Sequence, residues 1–88
     1  MKYKIQVSKK FKKFFIKKTS KEREKINTKL ELLKQNPINH PNLDISKMSG
    51  FENIFRLRIN DSRIIYEVFE KQIIIYIFDA GNRGDIYK

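Results

Sequence analysis

The spacing of the large apolar residues changes once along this chain, and that change restricts the fold more than any other feature. Between residues 11 and 33 these residues recur three or four positions apart: Phe11, Phe14 and Phe15, then Ile26, Leu30 and Leu33. That is the pitch at which a helix gathers one buried stripe. From Lys47 onward the interval is two. Phe55, Leu57 and Ile59 alternate with Arg56 and Arg58, so successive side chains point to opposite faces of a strand. The same interval occurs at the start, where Tyr3, Ile5 and Val7 alternate with Lys2, Lys4 and Gln6. A chain with this order folds as α+β: one strand, a pair of helices, and then strands that share a sheet with the first.

Local signals set the boundaries. Ser8 precedes the Phe stripe as a helix cap, and Thr19 with Glu22 has the capping-box spacing that opens a second helix. This helix runs to Gln35, because Asn36-Pro37 ends it. The segment 37–46, with two prolines and the sole histidine, His40, reads as an exposed connection. Asn60-Asp61 provides a turn between strand 55–59 and strand 63–69, and Glu70-Lys71 provides a second. Residues 73–78 are so continuously apolar that they are expected in the middle of the sheet, covered on both faces. The chain ends in Asp79-Ala80-Gly81-Asn82-Arg83-Gly84-Asp85-Ile86-Tyr87-Lys88, a glycine-flexed loop with a short extended close. The expectation is an N-terminal strand, a two-helix hairpin and a three-stranded antiparallel meander in one sheet, with the helices packed on one face. With 88 residues, the chain supports a single core and a single domain, 1–88.

Several chemistries are excluded early. The chain has no cysteine, which removes disulfides, thiolate metal sites and Cys nucleophiles together and agrees with a reducing cytoplasm. No apolar run approaches the roughly 18 residues of a membrane span, and residues 1–7 lack the apolar core of a secretory signal. His40 is isolated in a Pro-rich loop and no His, Asp or Glu cluster has ligand spacing, so no metal site is expected. The serines lack a partner histidine and a glycine-flanked elbow. Gly81-Asn82-Arg83-Gly84 is too short for a phosphate loop, and no cofactor is expected.

Charge points in a definite direction. Lys and Arg number 20 against 10 Asp and Glu, a net charge of +10, which attracts polyanions at long range. Residues 1–44 carry 13 basic and 4 acidic side chains, a net of +9, and residues 45–88 carry only +1. Yet four of the five arginines, Arg56, Arg58, Arg63 and Arg83, lie in the nearly neutral half. Lysine is a solvated point charge and arginine a planar fork that grips phosphate in two places. The lysines read as a field and the arginines as a site. A hairpin turning at 60–62 sets Arg63 beside Arg58; if they share a face, Arg56, Arg58 and Arg63 form a cationic patch on the side away from the helices, whose edge Arg83 and Tyr87 could reach. A phosphate relieves the self-repulsion of such a cluster. The alternative is that the arginines solvate a sheet face or pair with Asp61, Glu67, Asp79 and Asp85. If Tyr87 acts as a base, its phenolate must be favoured by Arg83 or Arg63, because free tyrosine has a pKa of about 10.

Three stretches carry a family resemblance: Lys47-Met48-Ser49-Gly50, then residues 55–68, Phe-Arg-Leu-Arg-Ile-Asn-Asp-Ser-Arg-Ile-Ile-Tyr-Glu-Val, then Gly81-Asn82-Arg83-Gly84-Asp85-Ile86-Tyr87. Together they resemble the RelE/ParE superfamily of type II toxins over the whole chain. The resemblance implies a RelE-like fold and a ribosome-dependent, metal-independent endoribonuclease that cuts mRNA in the A site by 2′-hydroxyl attack. It implies Arg63, Arg83 and Tyr87 as catalytic residues and Arg56, Arg58 and Lys47 as RNA-binding residues. Arg63 and Arg83 would hold the scissile phosphate and Tyr87 would act as general base. The implied partners are the ribosome, mRNA and a cognate antitoxin with a segment that folds on binding; membrane and small-molecule cofactors are not among them. Two departures stand out: Arg56 and Arg58 replace the prototype's lysines, and Asn82 replaces a histidine found in many members. The superfamily also holds ParE-type inhibitors of DNA gyrase, which share the fold and the hairpin arginines. A third reading is a non-catalytic nucleic-acid-binding module resting on its basic helices.

Overall fold

A computed structural model describes residues 2–82 of the chain. Its elements run β1 (Lys4–Val7), α1 (Lys9–Ile16), α2 (Ser20–Gln35), β2 (Asp44–Lys47), β3 (Ile54–Ile59), β4 (Ser62–Phe69) and β5 (Ile74–Asn82). The strands form one sheet in the order β1-β5-β4-β3-β2. Neighbours are antiparallel from β2 to β5, and β1 lies parallel to β5. The α+β class, the helix pair and the meander are as the periodicity implies.

Caps hold the helices in place. Ser8 Oγ accepts from Phe11 N at 3.2 Å and donates to Phe78 O at 3.1 Å, so one hydroxyl starts α1 and ties it to β5. At α2, Glu22 N donates to Thr19 Oγ1 (3.2 Å) and Thr19 N donates to Glu22 Oε1 (3.0 Å), the reciprocal pair of a capping box. Those contacts, led by the Thr19 backbone, hold the Glu22 carboxyl below the usual carboxylate range. Arg23 Nη1 reaches the carbonyl of Lys18 at 3.0 Å and braces the corner between the helices.

Both helices lie against one face of the sheet. Phe11, Ile26, Leu30 and Leu33 meet Phe55, Leu57, Ile59, Ile64, Tyr66, Val68, Ile75, Ile77 and Ala80 in a single core. Leu33, Leu57, Ile64, Ile75 and Ile77 are fully buried. Tyr66 is buried too, and its hydroxyl donates to Pro37 O at 2.6 Å. Burial pushes this phenol well above the ordinary tyrosine range, because the anion would have no water around it.

Three details depart from the sequence expectation. First, the segment 37–46 is not all connection: its end forms β2, which extends the meander to four strands and pairs Ile45 with Leu57 and Ser46 with Arg56. Four residues give too little alternation to register as a strand. Second, β5 lies inside the sheet between β1 and β4, but its Ile74, Tyr76 and Phe78 are only half-buried, because both helices pack on the other face. Third, Ile73 precedes the strand and adopts φ 57°, a left-handed conformation costly for a β-branched residue. Its amide donates to Glu70 O and its carbonyl accepts from Lys4 N, which fixes the start of both β5 and β1.

Candidate nucleic-acid interface

The β3–β4 hairpin turns through Asn60 and Asp61. Asn60 takes φ 53°, which asparagine tolerates, and Ile59 then faces Ser62 across the ladder. This two-residue turn fixes the register of everything that follows. Arg58 lies directly opposite Arg63, and Arg56 opposite Ile65. Since Phe55, Leu57 and Ile59 enter the core, the arginines between them occupy the opposite face, which carries no helix among the described residues. The register therefore sets Arg56, Arg58 and Arg63 on one face.

Two rows cross this face. One runs Asp44, Arg58, Arg63, Gly81; the other runs Ser46, Arg56, Ile65, Asp79. Arg58 is exposed, whereas Arg56 and Arg63 are half-buried, and the Nε of Arg63 is sunk below the surface. Ile65 is buried on this face, only 4% exposed, so the guanidiniums stand around an apolar floor. In such a setting, charges on a bound anion are poorly screened. Asp79 is held by Lys10 Nζ at 2.7 Å and by the amide of Ala80, and Glu67 accepts from Asn53 Nδ2 at 2.8 Å.

A β-bulge sets the last strand's phase. Ile65 pairs with Asp79 while the next residue, Tyr66, pairs with Ile77, leaving Phe78 as the extra residue. The insertion exchanges the two faces of β5 beyond it. Ala80 thereby enters the core, and Gly81, which has no side chain, lies beside Arg63. Sequence reading alone missed this, since a bulge leaves no mark in a continuously apolar run.

The remaining site expectations divide. Lys47 pairs with Phe55, a core residue, so its side chain belongs to the helix-side face at the sheet edge and does not join the arginines. Arg83 and Tyr87 lie outside the described residues. Among the described residues no group of three His, Cys, Asp or Glu could hold a metal ion, and no helix is long and apolar enough to cross a membrane.

Comparison with known proteins places this chain in a family. The family described as "ParE toxin of type II toxin-antitoxin system, parDE" matches residues 4–87. A curated protein of Methanocaldococcus jannaschii, named as the toxin RelE1, is 36% identical over 59 residues. That match covers 67% of this chain and 66% of the relative, just under two thirds of the latter. Among solved structures, the archaeal RelE-RelB complex from Pyrococcus horikoshii superimposes with a TM-score of 0.83 at 24% identity, covering 97% of this chain and 99% of that one. The RelB-RelE antitoxin-toxin complex from Methanococcus jannaschii gives 0.73 at 27% identity, over 93% and 94% of the two chains. Fold, arginine-bearing hairpin and a family match across nearly the full length agree, and the chain belongs to the RelE/ParE superfamily as a toxin of a type II toxin-antitoxin system.

Proposed function

We propose that this toxin is a ribosome-dependent endoribonuclease that cuts mRNA in the ribosomal A site. The observation that carries the reading is the opposition of Arg58 and Arg63, with Arg56 one row away, on a sheet face that carries no helix among the described residues. Directly opposed like charges destabilise a sheet, and an anion bound between them turns that cost into affinity. In the reaction, the ribose 2′-oxygen attacks the adjacent phosphorus, the bond to the 5′-oxygen breaks, and a cyclic phosphate and a 5′-hydroxyl result. Arg63 and Arg83 neutralise the charge that builds on the phosphate oxygens. Tyr87, as the phenolate, takes the 2′-hydroxyl proton, the leaving 5′-oxygen takes a proton from Arg83, and Arg56 and Arg58 hold the backbone. The expected site acts in the cytoplasm, and a cognate antitoxin silences it through a segment that orders on binding.

A second reading has its own support, since the matching family is described by its ParE toxins: inhibition of DNA gyrase by the same fold. The two readings separate in a paired assay with purified protein. The nuclease reading predicts arrest of cell-free translation with loss of intact mRNA and unchanged gyrase supercoiling; the reverse pattern establishes the gyrase reading. Tyr87→Phe is expected to reduce cutting at least a hundredfold, within the usual range of a general base of about 10² to 10⁴.

A further inference from the structure

From the geometry we infer a second RNA-binding surface, a lysine groove that continues the arginine row around the free edge of β5 and takes the flanking phosphates of the same RNA strand. The inference rests on the nuclease reading for the identity of that strand. β1 pairs with β5 only as far as Ile77, so among the described residues no strand pairs with the outer edge of residues 78–82. α1 lies beside it. A groove of about 380 Å³ opens between them, lined by Lys10, Lys13, Lys17, Lys18, Phe14 and residues 80–82. Lys10 and Lys13 lie on α1, which has no acidic residue in its first turn, and Lys17 and Lys18 follow its last turn; Lys10 is engaged by Asp79 at 2.7 Å. Lys10, Lys13 and Lys17 are exposed, while Lys18 is half-buried.

Continuity with the arginines comes from register. Gly81 is the cross-strand neighbour of Arg63 and also part of the groove wall. With strands about 4.8 Å apart, the row from Asp44 to Gly81 spans roughly 14 Å, and among the described residues the lysines of the groove lie next beyond it. At the junction, Lys18 Nζ donates to Asn82 Oδ1 at 2.8 Å and lies 4.7 Å from the centre of the Phe14 ring. Asn82 also accepts from Ser62 Oγ at 3.4 Å. Lys18 is thereby held at the corner, while Lys13 and Lys17 remain available to phosphates. A cationic groove that follows a backbone is the usual means of holding single-stranded nucleic acid without reading its sequence. The groove thus accounts for part of the N-terminal charge excess and extends the contact beyond the scissile phosphate.

The test uses the purified full chain and 2′-O-methyl RNA, which lacks the attacking hydroxyl. One oligonucleotide of about six nucleotides covers the arginine row, and another of about fourteen also reaches the groove. Lys13→Ala/Lys17→Ala should weaken the longer oligonucleotide about tenfold and reduce its salt slope by about 1.4, the contribution of two single-strand phosphate contacts. It should leave the shorter one within about twofold. The control, Lys29→Ala/Lys71→Ala, removes equal charge elsewhere and should change either affinity by less than about threefold. Equal losses in both double variants would overturn the groove in favour of a diffuse field, as would no loss in the first. Arg58→Ala, at an exposed position, reports on the underlying reading separately: it should weaken both oligonucleotides. Unchanged binding there, with loss only in the lysine pair, would overturn the claimed continuity.

Discussion

At the scale of single residues, the opposition of Arg58 and Arg63 links stability to function. Directly opposed like charges cost a sheet a few tenths of a kcal/mol to about 1 kcal/mol. Asp44 faces Arg58 from its other side and offsets part of that cost, so Arg58→Ala should leave the urea midpoint nearly unchanged, and should reduce the rise in midpoint expected of the wild-type chain when phosphate is added. A lower midpoint would contradict the idea that the pair is kept for ligand binding. Tyr66 behaves oppositely. Its buried hydroxyl satisfies the carbonyl of Pro37, so Tyr66→Phe leaves that carbonyl without a donor and should cost about 1 to 3 kcal/mol, read as a lower midpoint with unchanged slope. The arginine face was legible because period-two alternation states which side chains share a face. Lys47 falls on the other face from the arginines, which the sequence did not reveal because its phase depends on the pairing of β2, a strand four residues long. Ile73 was read into the strand because nothing in a β-branched residue announces φ 57°.

At the scale of elements, the capping box of α2 makes a prediction with a sign. Glu22 has its pKa lowered in the folded state, first by the Thr19 backbone amide and then by the Thr19 side chain. Its contribution is thus fully present above the unfolded glutamate pKa of about 4.3 and is lost as pH falls through the folded value. Helix α2 should weaken on acidification below that point. Thr19→Ala should cost about 1 kcal/mol and return the Glu22 titration, followed by carboxyl NMR, toward the ordinary range; an unmoved titration would contradict the box. Ser8 and Thr19 were readable as caps because their chemistry is local. The bulge at Phe78 was not, because the register of β5 is decided by its neighbours rather than by its own composition. That bulge places Gly81 beside Arg63 and so shapes both the arginine row and the groove beyond it.

At the scale of the whole molecule, one core supports one site. Leu33 and Leu57 are fully buried on opposite sides of the helix–sheet interface. Leu57→Ala should cost about 2 to 5 kcal/mol, a large share of the 5 to 15 kcal/mol typical of a small domain. It should reduce activity only through the folded fraction, whereas Arg63→Ala should abolish activity in a folded protein. The charge asymmetry and the order of helices and strands were both legible from residues alone, since each is a sum over many positions. The path joining lysines to arginines was not, because it passes through Gly81 and Asn82, whose place depends on the sheet. The central claim is that the arginine face cuts mRNA on the ribosome. Primer extension on mRNA from a translating extract tests it most directly: the wild-type chain should leave cuts within codons only while ribosomes translate, and folded Arg63→Ala should leave none. Intact mRNA with the folded wild-type chain, or equal cutting by Arg63→Ala, would contradict it.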